Sequence, residues 1–138
     1  MTRREPTIGI LGGMGARATA PFVDLVVDQC QRQYGASYDD EFPHMLVYAL
    51  PARLRLDEPL DHPRLSGEIV AGLQRLERGG VDFIALPCNT AHRYYDQLQA
   101  AIGVPLLHIV DETLARLPAG LTRVGLLATE FTVESGLY

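Results

Sequence analysis

No lysine occurs among these 138 residues, so all 12 basic side chains are arginine. That absence removes Schiff-base chemistry with pyridoxal phosphate and the phosphate-gripping lysine of a P-loop. Cysteine is scarce as well. Cys30 and Cys88 stand far apart, which favours neither a disulfide framework nor a zinc site and suits a reducing, cytoplasmic setting. There is no basic tract, 12 basic against 17 acidic residues leave a net charge of −5, and aromatics make up only 7%. Nucleic acid is therefore not an expected partner. No apolar run is long enough to span a bilayer, and Thr2-Arg3-Arg4-Glu5-Pro6 lacks the form of a signal peptide. No metal-spaced cluster is evident either, so neither a metal nor an organic cofactor is expected. What is present in quantity is apolar content, 47% of residues, enough for the core of one domain.

The chain is organised around Leu86-Pro87-Cys88-Asn89-Thr90-Ala91-His92. The run Val81 to Leu86 has the length and β-branched and aromatic content of a buried strand, and Ala91 to Ile102 reads as a helix. Cys88 then sits at a strand's carboxyl end, where open α/β sheets bind ligands, and beside the free N–H groups of a helix start. Such a position is expected to lower a thiol's pKa. Two readings stand for Cys88, a small buried hydrophobe or a reactive group, and the polar Asn-Thr pair after it favours the second. Asn89 or Thr90 either caps the helix or turns to a ligand. His92 either donates to a ligand or contacts the top of the sheet.

In chain order, Thr7 to Leu11 reads as a first strand ending in the turn Gly12-Gly13-Met14-Gly15. A helix from near Pro21 to Tyr34 follows, with Gly35 as its stop and Cys30 on its buried face with Phe22 and Val26. Gly13 to Ala18 also fits the G-x-G-x-x-A dinucleotide fingerprint. That reading is weak, because the second strand, Met45 to Leu50, runs into Pro51-Ala52-Arg53 rather than an acidic residue, and Asp39-Asp40-Glu41 lies at its wrong end. Pro51 to Pro63 is either a lid or a solvated connection, and Arg53 is placed to reach a carboxylate bidentately. His62 has no evident partner. Ser66 reads as the N-cap of a helix carrying Ile69, Val70, Leu73 and Leu76, stopped by Gly79-Gly80. Tyr94, Tyr95, Leu98 and Ile102 share a face of the helix after Cys88, so the tyrosines read as packing, and Gly103 ends it. Val104 to Val110 is a fourth strand, Asp111 caps a short helix through Leu117, Pro118-Ala119-Gly120 is a linker, and Arg123 to Ala128 is a fifth strand.

This alternation implies an α/β fold: a doubly wound, parallel, four-stranded sheet flanked by helices over residues 1–117. Residues 118–138 then read as a linker and the first strand and turn of a second α/β domain.

Four motifs resemble one family: "IGILGGMGARAT" at Ile8 to Thr19, "PCNTAHRYYDQLQ" at Pro87 to Gln99, "PLLHIVDET" at Pro105 to Thr113 and "GLLATEFTVESGLY" at Gly125 to Tyr138. Together they resemble the aspartate/glutamate racemase family, in its aspartate racemase-like branch, over nearly the whole chain. Ala16 departs from the proline usual after "GGMG". The resemblance implies two pseudo-symmetric α/β domains, each giving one cysteine to a cofactor-independent acid/base pair that inverts an amino acid or related dicarboxylate. It implies that Cys88 is one of that pair, and that Met14, Arg53, Asn89, Thr90, Ala91 and Thr129 surround the substrate. The second cysteine belongs in a Gly-Cys-Thr-Glu-like segment that this sequence lacks, and Cys30 is expected to be packed away. The sequence thus reads as a family member cut short in its second domain, inactive alone and prone to self-association into a homo-oligomer through the uncovered edge at Arg123 to Ala128. A related hydantoin racemase, maleate isomerase or arylmalonate decarboxylase is the enzymatic alternative. A binding or interaction domain is the non-catalytic one.

Overall fold

The computed structural model describes residues 5–53, 55 and 57–138. The expected N-terminal approach at Thr2 to Arg4, and the leucines at 54 and 56 of the expected lid, lie outside them.

Three parallel strands, β1 (Thr7–Gly12), β2 (His44–Ala49) and β3 (Phe83–Ala85), form a sheet in the order β2-β1-β3. The register pairs Ile8 with Met45 on one side and with Phe83 on the other. Helices α1 (Thr19–Tyr34) and α2 (His62–Arg78) make the crossovers. Parallel strands require such crossovers, because a hairpin cannot join them. Gly35 closes α1 in the left-handed conformation at φ 77°, its N–H donating to the Gln31 carbonyl, as its position predicts.

One face of the sheet carries the core. Leu11 from β1, Ile69 and Leu73 from α2, Ile84 from β3 and Leu98 are fully buried. The α2 helix comes so close to β1 that a Cβ on Gly72 would stand 2.9 Å from Leu11 Cδ1. Cys30 is 8% exposed, as its helix-face position predicts.

The α/β class and parallel sheet agree with the sequence, but among the described residues the sheet has three strands rather than four. Where the fourth strand was expected, only the single parallel bridge Ile84–Leu106 forms, with Ile84 donating to Pro105 and Leu107 donating to Ile84. Pro105 has no N–H to give to a ladder, and three residues later His108 already begins helix α4 (Ile109–Leu114). His108, not Asp111, is its N-cap, accepting from the Asp111 N–H. The expected strand Arg123 to Ala128 does not form either. Its residues are exposed, with Val124 at 64% and Leu127 fully open.

Two further boundaries move. Helix α2 starts four residues before Ser66, because Asp61 accepts from the Arg64 N–H and Pro63 fits the first turn, where its missing donor costs nothing. Ser66 is buried, its hydroxyl donating to the Pro63 carbonyl. The helix expected from Ala91 to Ile102 splits into a 3-10 turn, Thr90–Tyr94, and α3 (Tyr95–Ala100). A last short helix, α5 (Glu130–Glu134), packs against that 3-10 turn. Among the described residues no helix is long and apolar enough to cross a membrane.

Candidate functional site

At the carboxyl end of β1 the glycine turn is held by the backbone. Leu50 N–H donates to the Gly12 carbonyl, Gly13 N–H donates to Thr19 Oγ1 at 2.9 Å, and Gly13 adopts φ 90°. The Gly13 N–H that a pyrophosphate would need is thus occupied by Thr19, which supports a tight structural turn over dinucleotide binding. Met14 is 5% exposed and its side chain belongs to the core cluster.

At the neighbouring carboxyl end of β3, Leu86 and Pro87 lead to Cys88, whose N–H turns back to the Leu86 carbonyl. Asn89 stands at the N-cap of the 3-10 turn but makes no side-chain cap bond. Its Oδ1 instead accepts from the Tyr138 hydroxyl at 2.5 Å. Cys88 Sγ lies against the backbone N–H groups of Thr90 and Ala91, the free donors of the turn's start. Both stabilise a thiolate, but burial is the larger effect and pushes the Cys88 thiol above its ordinary range. The sequence expectation of a lowered pKa is therefore reversed: the helix-start donors are present, and desolvation outweighs them. Ala91 itself is buried, so it offers the site its N–H rather than its side chain.

His92 is 1% exposed, with Nδ1 at 2.8 Å from the Cys88 carbonyl oxygen and Nε2 at 3.3 Å from that of Leu107. Burial lowers its pKa, which favours the neutral ring. Of the two readings open for His92, contact with the top of the sheet is the one found.

Thr129 is exposed at the N-cap of α5, its carbonyl accepting from the Thr132 and Val133 N–H groups and its hydroxyl within 3.2 Å of that of Thr132. With Tyr138 bonded to Asn89 and α5 against the 3-10 turn, the C-terminal segment folds over the Cys88 turn. A cleft of about 630 Å³ opens between Asn89, Thr132, Tyr138 and the apolar residues Leu114, Leu117 and Val124.

Arg53 lies in a different hollow of about 210 Å³ with Arg55, Glu58, Asp61 and Arg64. Its guanidinium already holds a carboxylate, that of Glu58 at 3.0 Å, and Arg55 reaches the other oxygen of the same group at 3.4 Å. The structure thus brings Cys88, Asn89, Thr90 and Ala91 into one turn with Thr129 on the segment that covers it, sets Met14 in the core, and leaves Arg53 engaged within its loop. Sequence reasoning missed Tyr138 as a partner of Asn89 and Tyr94 as the partner of His62, whose Nδ1 is 2.5 Å from the tyrosine hydroxyl. Nothing local signals either pair, since 49 and 32 residues separate the partners.

Because Cys88 is only partly buried whereas Cys30 is enclosed on α1, Cys88 is expected to be alkylated first in the native protein. Peptide mapping after brief iodoacetamide treatment tests this, and preferential label on Cys30 would reverse the assignment.

The profile of the family described as Asp/Glu/Hydantoin racemase matches residues 11–138. The broad specificity amino-acid racemase RacX of Bacillus subtilis is 50% identical over 131 residues, covering 95% of this chain and 58% of that protein. A glutamate racemase of Thermus thermophilus is 39% identical over 82 residues, 59% of this chain and 31% of its own length. Among solved structures, the Picrophilus torridus aspartate racemase superposes with a TM-score of 0.76 at 29% identity, over 96% of this chain and 56% of that one. An aspartate racemase homologue from Pyrococcus horikoshii shares the fold, with a TM-score of 0.69 at 23% identity over 80% of this chain and 50% of its own. The chain therefore spans 31% to 58% of the length of these relatives.

Proposed function

The chain belongs to the Asp/Glu/hydantoin racemase family, and from that premise we propose that it carries one half of a cofactor-independent amino-acid racemase site in which Cys88 is an acid/base group. The observation that carries the proposal is the seat of Cys88 Sγ, at the carboxyl end of the sheet and against the N–H groups of Thr90 and Ala91.

Racemisation without an electron sink removes the α-proton as H⁺ and leaves its electron pair on carbon, delocalised into the adjoining carboxyl group. Donors must neutralise the charge that develops there, and inversion needs a base on one face and an acid on the other. As a thiolate, Cys88 takes the α-proton on its face and becomes a thiol; in the reverse direction the thiol returns it. Burial keeps the proton on sulfur at rest, and the two backbone donors stabilise the thiolate when the proton leaves. Asn89, Thr90 and Thr129 are the proposed polar contacts to the substrate, with Ala91 contributing its N–H and Met14 its apolar side chain. Arg53 is the proposed carboxylate partner. It must first release Glu58, an exposed pair whose loss costs only about 0–1 kcal/mol.

The group on the opposite face is proposed to be a second cysteine lying outside these residues, since Cys30 is packed on α1. Residues 118–138 are accordingly assigned to the start of a second α/β domain, and their exposed apolar side chains to an associating surface. Aspartate and other amino acids are candidate substrates, the latter on the strength of the broad-specificity relative.

Chiral chromatography tests this reading. The 138-residue chain is expected not to interconvert L- and D-amino acids by itself, and added pyridoxal phosphate should not change that. Inversion that appears only with pyridoxal phosphate would overturn cofactor independence, and robust inversion by this chain alone would overturn the need for a second group.

A further inference from the structure

In an α-helix the carbonyl of residue 88 would accept from the N–H of residue 92. The 3-10 turn breaks that pattern, because His92 N–H donates to the Asn89 carbonyl at 3.0 Å instead. The Cys88 carbonyl is left without its helical donor, and the His92 imidazole supplies one from the side, with Nδ1 at 2.8 Å. The same ring presents Nε2 to the Leu107 carbonyl at 3.3 Å, on the segment bridged to β3 through Ile84. A neutral imidazole carries one N–H, so only one of the two carbonyls is bonded at a time, and the shorter contact assigns the proton to Nδ1. Tyr95 lies parallel to the ring at 6.1 Å and His108 meets it edge-on at 5.6 Å, with Asp111 beside His108. These contacts leave the imidazole little room to turn.

We infer that His92 is the positioning residue of this site: its ring, fixed by Tyr95 and His108, donates to the Cys88 carbonyl and so holds Sγ in its buried place against the Thr90 and Ala91 N–H groups. The inference rests on Cys88 being the acid/base group, but it is tested on the thiol itself. Loss of racemase chemistry and loss of positioning are therefore separable.

The test is the pH dependence of Cys88 alkylation by iodoacetamide. With the ring removed in His92→Ala, Sγ loses both its enclosure and its donors, so the midpoint is expected to fall towards the ordinary thiol value of ~8.5. His92→Asn, whose side-chain amide can donate to the same carbonyl, is expected to keep the higher midpoint. An unchanged midpoint in a folded His92→Ala protein would overturn the inference, as would His92→Asn behaving like alanine. Should His92→Ala fail to fold, ¹⁵N NMR of the unaltered protein decides: a neutral ring protonated on Nδ1 is expected, and one protonated on Nε2 would refute the tie to Cys88.

Discussion

Gly13→Ala is expected to lower the unfolding free energy by about 2–5 kcal/mol, the sum of about 1–2 for an L-residue in left-handed backbone and about 1–3 for overpacking. Gly13 sits at φ 90°, and a Cβ there would run into the Leu50 backbone, 2.6 Å from its nitrogen and closer still to its carbonyl oxygen. Backbone cannot step aside as a flexible side chain can, and Leu50 is fixed by its own bond to the Gly12 carbonyl. Against a typical total of about 5–15 kcal/mol, such a loss leaves the domain marginal. Gly15→Ala is the control, because among the described residues nothing lies within 4 Å of the Cβ it would add. Urea denaturation followed by circular dichroism should show a large drop in midpoint for the first variant and little change for the second. Equal midpoints would mean that the turn does not require glycine at position 13.

The sequence was most legible where one local pattern determines the outcome. The apolar runs at Thr7, His44 and Phe83 became strands, and glycines 35 and 79 ended α1 and α2. It was less legible where two local signals competed. Asp61 and Ser66 both look like caps, and Pro63 decided for the earlier one. Pro105 lies within an apolar run, yet its missing donor reduced a strand to one bridge. Tertiary effects were illegible. The helix-start donors beside Cys88 follow from the motif, but the enclosure that outweighs them depends on residues from other elements. Arg53 was expected to reach a ligand carboxylate, and in the structure its guanidinium pairs with Glu58 of its own loop, a contact that no local pattern announces. His92 lies four residues from Cys88, a spacing compatible with a helical neighbour. Only the 3-10 register turns that spacing into a ring-to-carbonyl bond.

The central claim is that Cys88 moves the α-proton of an amino acid, and Cys88→Ser is the variant with the largest expected chemical effect. Serine is nearly isosteric, but its hydroxyl holds its proton far more tightly than a thiol, so the seat survives while the base is lost. Removal of a positioned general base typically costs about 10²–10⁴-fold. The pH dependence has a definite sign. Because burial raises the Cys88 pKa, the thiolate is a minority at neutral pH, and exchange should rise by roughly tenfold per pH unit until that raised value is reached. Levelling off at or below the ordinary thiol range would contradict the burial. The direct measurement is deuterium uptake at the α-carbon of L- and D-aspartate in D₂O, followed by proton NMR with the 138-residue chain and its Cys88→Ser form. The account predicts slow exchange of one enantiomer, without inversion, that falls at least about 100-fold on substitution. Equal rates in the two proteins, whether fast or at the buffer background, would contradict it.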